Sequence, residues 1–185
     1  MTYAEICDVV RKLKLKYDEI DPFCLCKDLN IILLERHLGN DPSSVKGFFL
    51  ESKRIKTITV NSDLPLVVQK IIVAHELGHA LLHCSNGIHA FHDVTMYDSI
   101  NSFEKEANLF AAEYLLKDED VLEALNKDST FFKAASELMV PCELLDFKFR
   151  VLKWKGYKIM ESPLSARNNF LKNMPLPDND DDHIC

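Results

Sequence analysis

The sequence predicts an α+β fold in which a small mixed sheet or hairpin packs on a helical core, with a helical subdomain towards the C-terminal end. Apolar residues recur at intervals of three and four along most of the 185 residues, which indicates amphipathic helices. The β-rich runs that we identify all fall between residues 30 and 60. A hydrophobic content of 47% is enough for one sizeable core in a chain of this length.

Composition limits the classes of partner. Lys and Arg number 22 against 29 Asp and Glu, and the net charge of −7 disfavours binding to a phosphate backbone, so we expect no direct contact with nucleic acid. We find no signal-peptide core and no apolar run that could span a bilayer, so the sequence predicts a cytosolic protein without a membrane partner. The six cysteines are scattered without a C-x-x-C pair, which is typical of reduced, buried thiols.

The N-terminal segment predicts two helices and a strand. Thr2 and Glu5 have the spacing of a capping box, and apolar residues follow at helical intervals, so we expect a helix over residues 3–17. Asp21 and Pro22 suit the start of a short helix through "FCLCKDL", because aspartate caps and proline fits the first turn. The β-branched run "NIILLE" predicts a strand.

A hairpin and a buried helix follow. Two β-rich runs, residues 47–50 and 55–60, flank the polar "ESKR" and predict the hairpin. Ser62 or Asp63 can cap the next helix, which tolerates Pro65 in its first turn and continues to about residue 84. That helix is apolar on nearly every side, so it should be buried.

The C-terminal half is predicted to be helical. A polar loop over residues 85–100 precedes a helix over about 102–117, and "DEDVLEAL" is expected to form a shorter one. Two further helices should flank a turn near Pro141; this pattern resembles a helix-turn-helix unit, but a helical buttress is the commoner arrangement. We therefore divide the chain into domains at residues 1–125 and 126–161, with a disordered acidic tail over residues 162–185.

The motif "HELGH", an H-E-x-x-H pattern at residues 75–79, lies within the buried helix. Residues four apart share a helix face, so His75 and His79 can present two imidazole nitrogens to one zinc ion. Glu76 is rotated by about 100° from His75, where it could reach water beside the metal and act as a base. The alternative is a set of polar residues on an ordinary helix, but burying each without a partner would cost about 1–3 kcal/mol.

The third ligand must come from elsewhere in the chain. His83 repeats the interval of four, but about 12 Å of helix separates it from His75, so we assign it to the helix end or to a contact behind the ligands. Glu104 shares a face with Ala107, Asn108 and Ala111, whose two alanines would allow close approach of a second helix. Glu104 could instead complete a capping box with a residue three positions earlier, Asn101. Glu106 and Glu113 are expected to face solvent.

The run "HELGHALLH" followed by "FEKEANLFAAEYLL" resembles the ImmA/IrrE family of metallopeptidases, and the resemblance covers about residues 45–117. It implies a zincin-type core and a cytosolic bacterial zinc protease, often carried by phages or integrative elements, that relieves repression by cleaving a repressor. The positions matching the family's motif give His75, His79 and Glu104 as metal ligands and Glu76 as the catalytic base. The chain has "LLKD" where "LLMP" is common, a change that leaves the ligands untouched.

Several functional details stay open at this point. Asn108 could hold a ligand from behind, and the tetrahedral oxyanion could be stabilised by one of four side chains, His89, His92, Tyr97 or Tyr114. The edge of the strand "KTITVN" could pair with an extended substrate, and the basic segment "KFRVLKWKGYK" could add selectivity through docking. The rival function is a protein that sequesters a repressor and holds a purely structural zinc, for which Glu76 would have no purpose.

Overall fold

The computed structural model describes residues 1–17, 21–41, 43–83, 97–127 and 130–173, and of residues 97–101, 172 and 173 only the backbone. Within these ranges the chain forms an α+β fold, as predicted from the sequence. Its elements are α1 Tyr3–Tyr17, α2 Pro22–Asp28, β1 Ile32–Arg36, β2 Gly47–Ser52, β3 Ile55–Asn61, α3 Leu66–Leu82, α4 Tyr97–Leu115, α5 Asp118–Asn126, α6 Phe131–Glu137 and α7 Cys142–Trp154, followed by a 3₁₀ turn at Phe170–Asn173.

The first two helices begin where the sequence predicts. Thr2 and Glu5 form the capping box: the Thr2 amide donates to the Glu5 carboxylate at 2.7 Å and the Glu5 amide donates to Thr2 Oγ1 at 3.3 Å. At the start of α2 the Asp21 carboxylate accepts from the Phe23 amide at 2.9 Å, with Pro22 in the first turn. These local hydrogen bonds confirm both predicted helix starts.

The sheet has three strands in the order β1-β3-β2. The predicted hairpin is confirmed: β2 and β3 are antiparallel and joined by Lys53 and Arg54, whose φ angles of 49° and 68° suit a two-residue turn that matches strand twist. β1 pairs with β3 in parallel. Because β3 is hydrogen-bonded on both sides, our prediction that its edge binds substrate is wrong; among the described strands the free edges are those of β1 and β2.

Helix α3 packs on the sheet and is buried from Ile71 to Ala80 on nearly every side, as its apolar sequence predicts. Its start differs from the prediction, because the helix begins after Pro65 without a side-chain cap. The Asp63 carboxylate is used by the loop after β1, where it accepts from the Gly39 amide at 2.8 Å and contacts His37 at 2.6 Å. Asp63 therefore binds the loop after β1 and does not cap α3.

Of the C-terminal helices, α7 packs on α4, α6 packs on α7 and α5 packs on α6. The turn near Pro141 between α6 and α7 is confirmed, and the apolar face of α7 is buried against α4. The predicted division into domains at residue 125 stays a prediction. None of the helices in the described ranges is long and apolar enough to cross a membrane.

The segment after α7 differs from the predicted disordered tail. Ala166, Phe170 and Leu171 are buried, and the Phe170 ring lies 5.8 Å from that of Phe147 on α7. The apolar residues in this part of the tail give it enough surface to bury. Residues 174–185 of the predicted tail lie outside the described residues.

Candidate metal centre

Close packing of α3 on α4 creates the site. A Cβ atom added at Gly78 would lie 2.9 Å from Ala107 Cα and 3.2 Å from the Ala107 carbonyl oxygen, so only glycine allows this approach without a shift. Ala111 is also completely buried one turn later. The structure thus confirms the prediction that the alanine face of the second helix allows another helix to come close.

Three of the side chains selected from the sequence converge at this contact. Nε2 of His75 lies 3.1 Å from Nε2 of His79. The two carboxylate oxygens of Glu104 lie 3.4 Å from His75 Nε2 and 3.5 Å from His79 Nε2. Among the described residues this is the only group of three His, Cys, Asp or Glu side chains that could hold one ion, with ligand atoms within 4.8 Å of one another.

The donor set and its spacing fit zinc. Two bonds of about 2 Å at a tetrahedral angle separate their ligand atoms by about 3.3 Å, close to the separations observed here. Two imidazole nitrogens and one carboxylate oxygen also form the protein part of a catalytic zinc shell, which leaves one position open for water or substrate. The arrangement can therefore hold a metal ion between α3 and α4.

Electrostatics favour the ligating forms of two of these groups. Burial lowers the pKa of His79 to about 4, although Glu104 opposes this, so His79 is neutral and keeps a lone pair at neutral pH. Burial raises the pKa of Glu104, but the interactions with His75 and His79 outweigh it and hold that pKa well below its usual range. Burial also lowers the pKa of His75, but Glu104 outweighs burial and the pKa is raised overall.

Glu76 lies beside the three-residue cluster without belonging to it. Its side chain is buried, with 8% exposed, and its charge contributes to the raised pKa of His75. This placement follows from the rotation of about 100° between adjacent helix positions. Its role as a base stays a prediction.

Asn108 connects the cluster to the C-terminal segment. The side-chain amide of Asn108 donates to the Asn168 carbonyl at 2.6 Å, and its presence contributes to the raised pKa of His75. Asn108 Oδ1 and His75 Nδ1 are both buried and have no hydrogen bond within the described part of the chain. Asn108 Oδ1 is an acceptor, and His75 Nδ1 becomes a donor when a metal occupies Nε2 of the same ring. The pair is therefore suited to orienting His75. That role for Asn108 also stays a prediction.

The alternative for Glu104, a capping box with Asn101, is excluded, because helix α4 begins at Tyr97 and Asn101 lies within the helix. Two predictions about other acidic residues of α4 are wrong. Glu106 is 6% exposed and lies 2.9 Å from Nε2 of His83, whereas we expected it to face solvent. Glu113, also expected to face solvent, is 9% exposed and pairs with Lys148 at 2.6 Å. Glu106 contacts His83 at the end of α3 and Glu113 contacts Lys148 of α7, so a different neighbouring element buries each of them.

The contact of His83 with Glu106 is the part of the site that the sequence did not reveal. His83 ends α3, as predicted, and its Nδ1 lies 3.1 Å from Nδ1 of His79. The sequence feature that could have identified Glu106 as the partner of His83 is the interval of three between Phe103 and Glu106. This interval places both residues on one flank of α4. The Phe103 ring centroid lies 4.5 Å from that of His83.

Of the four oxyanion candidates, the structure describes the side chain of Tyr114 alone. Tyr114 is buried in the core, where its ring stacks on Phe110 at 5.9 Å, and about 15 Å of helix separates it from Glu104. Tyr114 is therefore a wrong prediction. His89, His92 and the side chain of Tyr97 lie outside the described residues.

The basic segment predicted to dock a substrate forms ion pairs with acidic residues of the same chain. Lys148 is completely buried, and both it and Lys155 pair with Asp118, at 2.5 and 2.7 Å. Arg150 pairs with Asp146 at 2.5 Å. These charges stabilise the packing of α7, so we no longer assign substrate docking to this segment.

Comparison with known proteins points to one family. The family model described as the IrrE N-terminal-like domain of M78 peptidases matches residues 26–150. The chain is 34% identical over 146 residues to "Uncharacterized immunity region protein 2" of Bacillus phage phi105, covering 79% of this chain and 90% of that protein. It is 29% identical over 132 residues to "Metallopeptidase ImmA" of Bacillus subtilis strain 168, covering 70% of this chain and 77% of that protein. No solved structure matches the chain significantly.

Proposed function

Because the chain belongs to the IrrE N-terminal-like family of M78 metallopeptidases, we propose that it is a zinc-dependent endopeptidase that cleaves a transcriptional repressor of a phage or integrative element. The observation that carries this proposal is the convergence of His75, His79 and Glu104 at the buried contact of two helices, with Glu76 beside them. A binding protein would need neither an open-sided ligand set nor a buried carboxylate next to it.

In this proposal the three converging side chains hold zinc and Glu76 transfers protons. Zinc held by these residues would polarise the scissile carbonyl and lower the pKa of water towards neutrality. Glu76 accepts the proton of the attacking water and passes it to the amine that leaves. Neutral His79 supplies its Nε2 lone pair, and the charge of Glu104 balances part of the charge of the cation.

An extended substrate segment would bind at a sheet edge. Of the two strands with a free edge among the described elements, β2 packs directly on α3, which carries the proposed site. Among the described strands β2 pairs with β3 alone, so a substrate strand could add to its outer edge, and such pairing depends little on substrate sequence. We therefore infer that β2, and not the central β3, would pair with the substrate.

The substrate class is supported by the relatives. The phage relative is named for an immunity region, and the ImmA relative is named a metallopeptidase. A repressor that maintains such an element in a bacterial host acts in the cytoplasm, so we place the reaction there. Cleavage would separate functions of the repressor and allow the element's genes to be expressed.

The test is to incubate the purified protein with candidate repressors encoded near its gene and to identify fragments by mass spectrometry. We expect defined cleavage products with the wild type and none with Glu76→Gln at equal zinc content, because the amide cannot accept the water's proton. Glu123→Gln, an exposed position on α5, is the matched control and should cut normally.

Two outcomes would contradict the proposal. Undiminished cleavage by Glu76→Gln would remove this residue as the base. Relief of repression without any cleavage, equal in wild type and Glu76→Gln, would favour the alternative of a repressor-binding antagonist with a structural zinc.

A further inference from the structure

His83 lies directly behind one of the three converging side chains. It follows the last turn of α3, is 9% exposed, and packs its ring on Phe103. Both of its ring nitrogens have a polar neighbour: Nδ1 lies 3.1 Å from Nδ1 of His79, and Nε2 lies 2.9 Å from Oε2 of Glu106. Glu106, His83 and His79 therefore form a continuous line of polar contacts. The line ends at His79, one of the proposed metal ligands.

The chemistry of these groups limits where the protons lie. A carboxylate only accepts hydrogen bonds, so Nε2 of His83 must carry the proton that is shared with Glu106. In a neutral His83 the other nitrogen, Nδ1, is then an acceptor, and Nδ1 of His79 must donate to it. This places the lone pair of His79 on Nε2, the atom that faces His75 and Glu104.

The other proton arrangement would close the site. If His83 were doubly protonated, its Nδ1 would donate to His79, whose own proton would move to Nε2. That atom could not then bind a cation. Only the arrangement with a neutral His83 leaves a lone pair on His79 Nε2 for a cation.

We propose that Glu106 and His83 form a hydrogen-bond relay that fixes the tautomer and ring orientation of His79 for metal binding. The relay rests on the proposed function to the extent that His79 is taken as a metal ligand. His83 and Glu106 are positioning residues, because neither lies at the place where the substrate would react. An imidazole acceptor thus takes the place of the carboxylate or carbonyl that usually orients a ligating histidine.

Glu106 is held firmly enough to serve as the fixed end of the relay. It is 6% exposed, and its second carboxylate oxygen, Oε1, accepts from Ser102 Oγ at 3.3 Å and contacts the α-amino group of Met1. Oε2 is therefore directed at His83. A carboxylate held on both oxygens gives the imidazole chain a defined direction.

The first test compares zinc affinity in three variants by competition with a chromophoric chelator. His83→Phe keeps a ring against Phe103 but removes the acceptor, and we expect zinc binding to weaken by about 10- to 100-fold. His83→Asn places Oδ1 where Nδ1 lies in the wild type, so it should recover most of the lost affinity. Glu106→Leu should weaken binding in the same direction, because His83 then loses the acceptor that fixes its own tautomer.

Phe103→Leu is the control for packing. It changes the surface against which the His83 ring lies but keeps every member of the relay, so zinc affinity should stay close to that of the wild type. Equal affinity in wild type and His83→Phe would overturn the relay. So would failure of His83→Asn to bind zinc more tightly than His83→Phe.

The second test reads the tautomers in the wild type and so does not depend on the folding of any variant. Long-range proton–nitrogen correlation spectra of the zinc-loaded, ¹⁵N-labelled protein should show His79 protonated at Nδ1 and His83 protonated only at Nε2. A His83 protonated at Nδ1 would overturn the proposal.

These readouts separate the relay from the proposed function. A protein that binds zinc with the expected tautomers but cuts no repressor would retain the relay and lose the endopeptidase assignment. A protein that cuts the repressor while His83→Phe binds zinc as tightly as the wild type would retain the function and lose the relay.

Discussion

Replacing Gly78 with alanine tests whether the contact of α3 with α4 sets the geometry of the proposed ligands. An added Cβ would lie 2.9 Å from Ala107 Cα and 3.2 Å from its carbonyl oxygen. Both are backbone atoms, so no side-chain rotation relieves the contact. Ordinary van der Waals separation would require α4 to move by about 0.5 Å, and Glu104 would move with it.

Two opposing effects decide the change in stability. Alanine is favoured over glycine within a helix by about 1 kcal/mol, whereas overpacking a core contact costs about 1–3 kcal/mol. We therefore expect Gly78→Ala to lower the free energy of unfolding of the metal-free protein by about 1 kcal/mol. A shift of about 0.5 Å exceeds the tolerance of about 0.2 Å in ligand distances, so zinc affinity should fall by at least about tenfold.

Urea unfolding with chelator present measures the stability, and competition with a chromophoric chelator measures the zinc affinity. Val67→Ala is the control, because Val67 lies on the exposed first turn of the same helix and should change stability by no more than about 0.5 kcal/mol. If Gly78→Ala were as stable as the wild type and bound zinc equally well, the close contact could not be what sets the ligand geometry.

Three further substitutions test other parts of the structure. Glu104→Ala should abolish stoichiometric zinc binding, measured by elemental analysis, because only two protein ligands remain; full zinc content would contradict its role. Asn108→Ala should lower the free energy of unfolding in urea by about 1–3 kcal/mol, since the Asn168 carbonyl loses its donor; an unchanged value would show that this tie is dispensable. Lys148→Met should lower it by up to about 3 kcal/mol, because Glu113 and Asp118 lose a buried cation and share only Lys155. Burial raises the pKa of Asp118, but hydrogen bonds from lysines outweigh it and the pKa is lowered, so wild-type stability should fall as the pH drops below about 4, and less steeply in Lys148→Met. Identical pH profiles would refute this.

The parts of the fold that the sequence predicts are those controlled by short-range interactions. The capping box of Thr2 and Glu5 and the cap at Asp21 each depend on residues two or three positions apart. The hairpin likewise depends on a two-residue turn between two β-rich runs. Periodicity also places His75 and His79 on one helix face, where the structure has them.

The predictions that are wrong depended on contacts between residues distant in the chain. Asp63 could cap α3 locally, but its carboxylate accepts a hydrogen bond from the Gly39 amide, which lies 24 residues earlier in the chain. Glu106 and Glu113 look exposed on an isolated helix and are buried by His83 and Lys148, which belong to other elements. Local pattern gives the helical phase of a residue but not how closely the next element packs against it.

The central claim is that one zinc ion binds between α3 and α4. The most direct measurement is an anomalous-difference map at the zinc absorption edge from crystals of the zinc-loaded protein. The account predicts one peak about 2 Å from Nε2 of His75, Nε2 of His79 and a carboxylate oxygen of Glu104, with Glu76 near it but not bound. A peak held by Glu106 in place of Glu104, or by cysteine sulfur elsewhere in the chain, would contradict it.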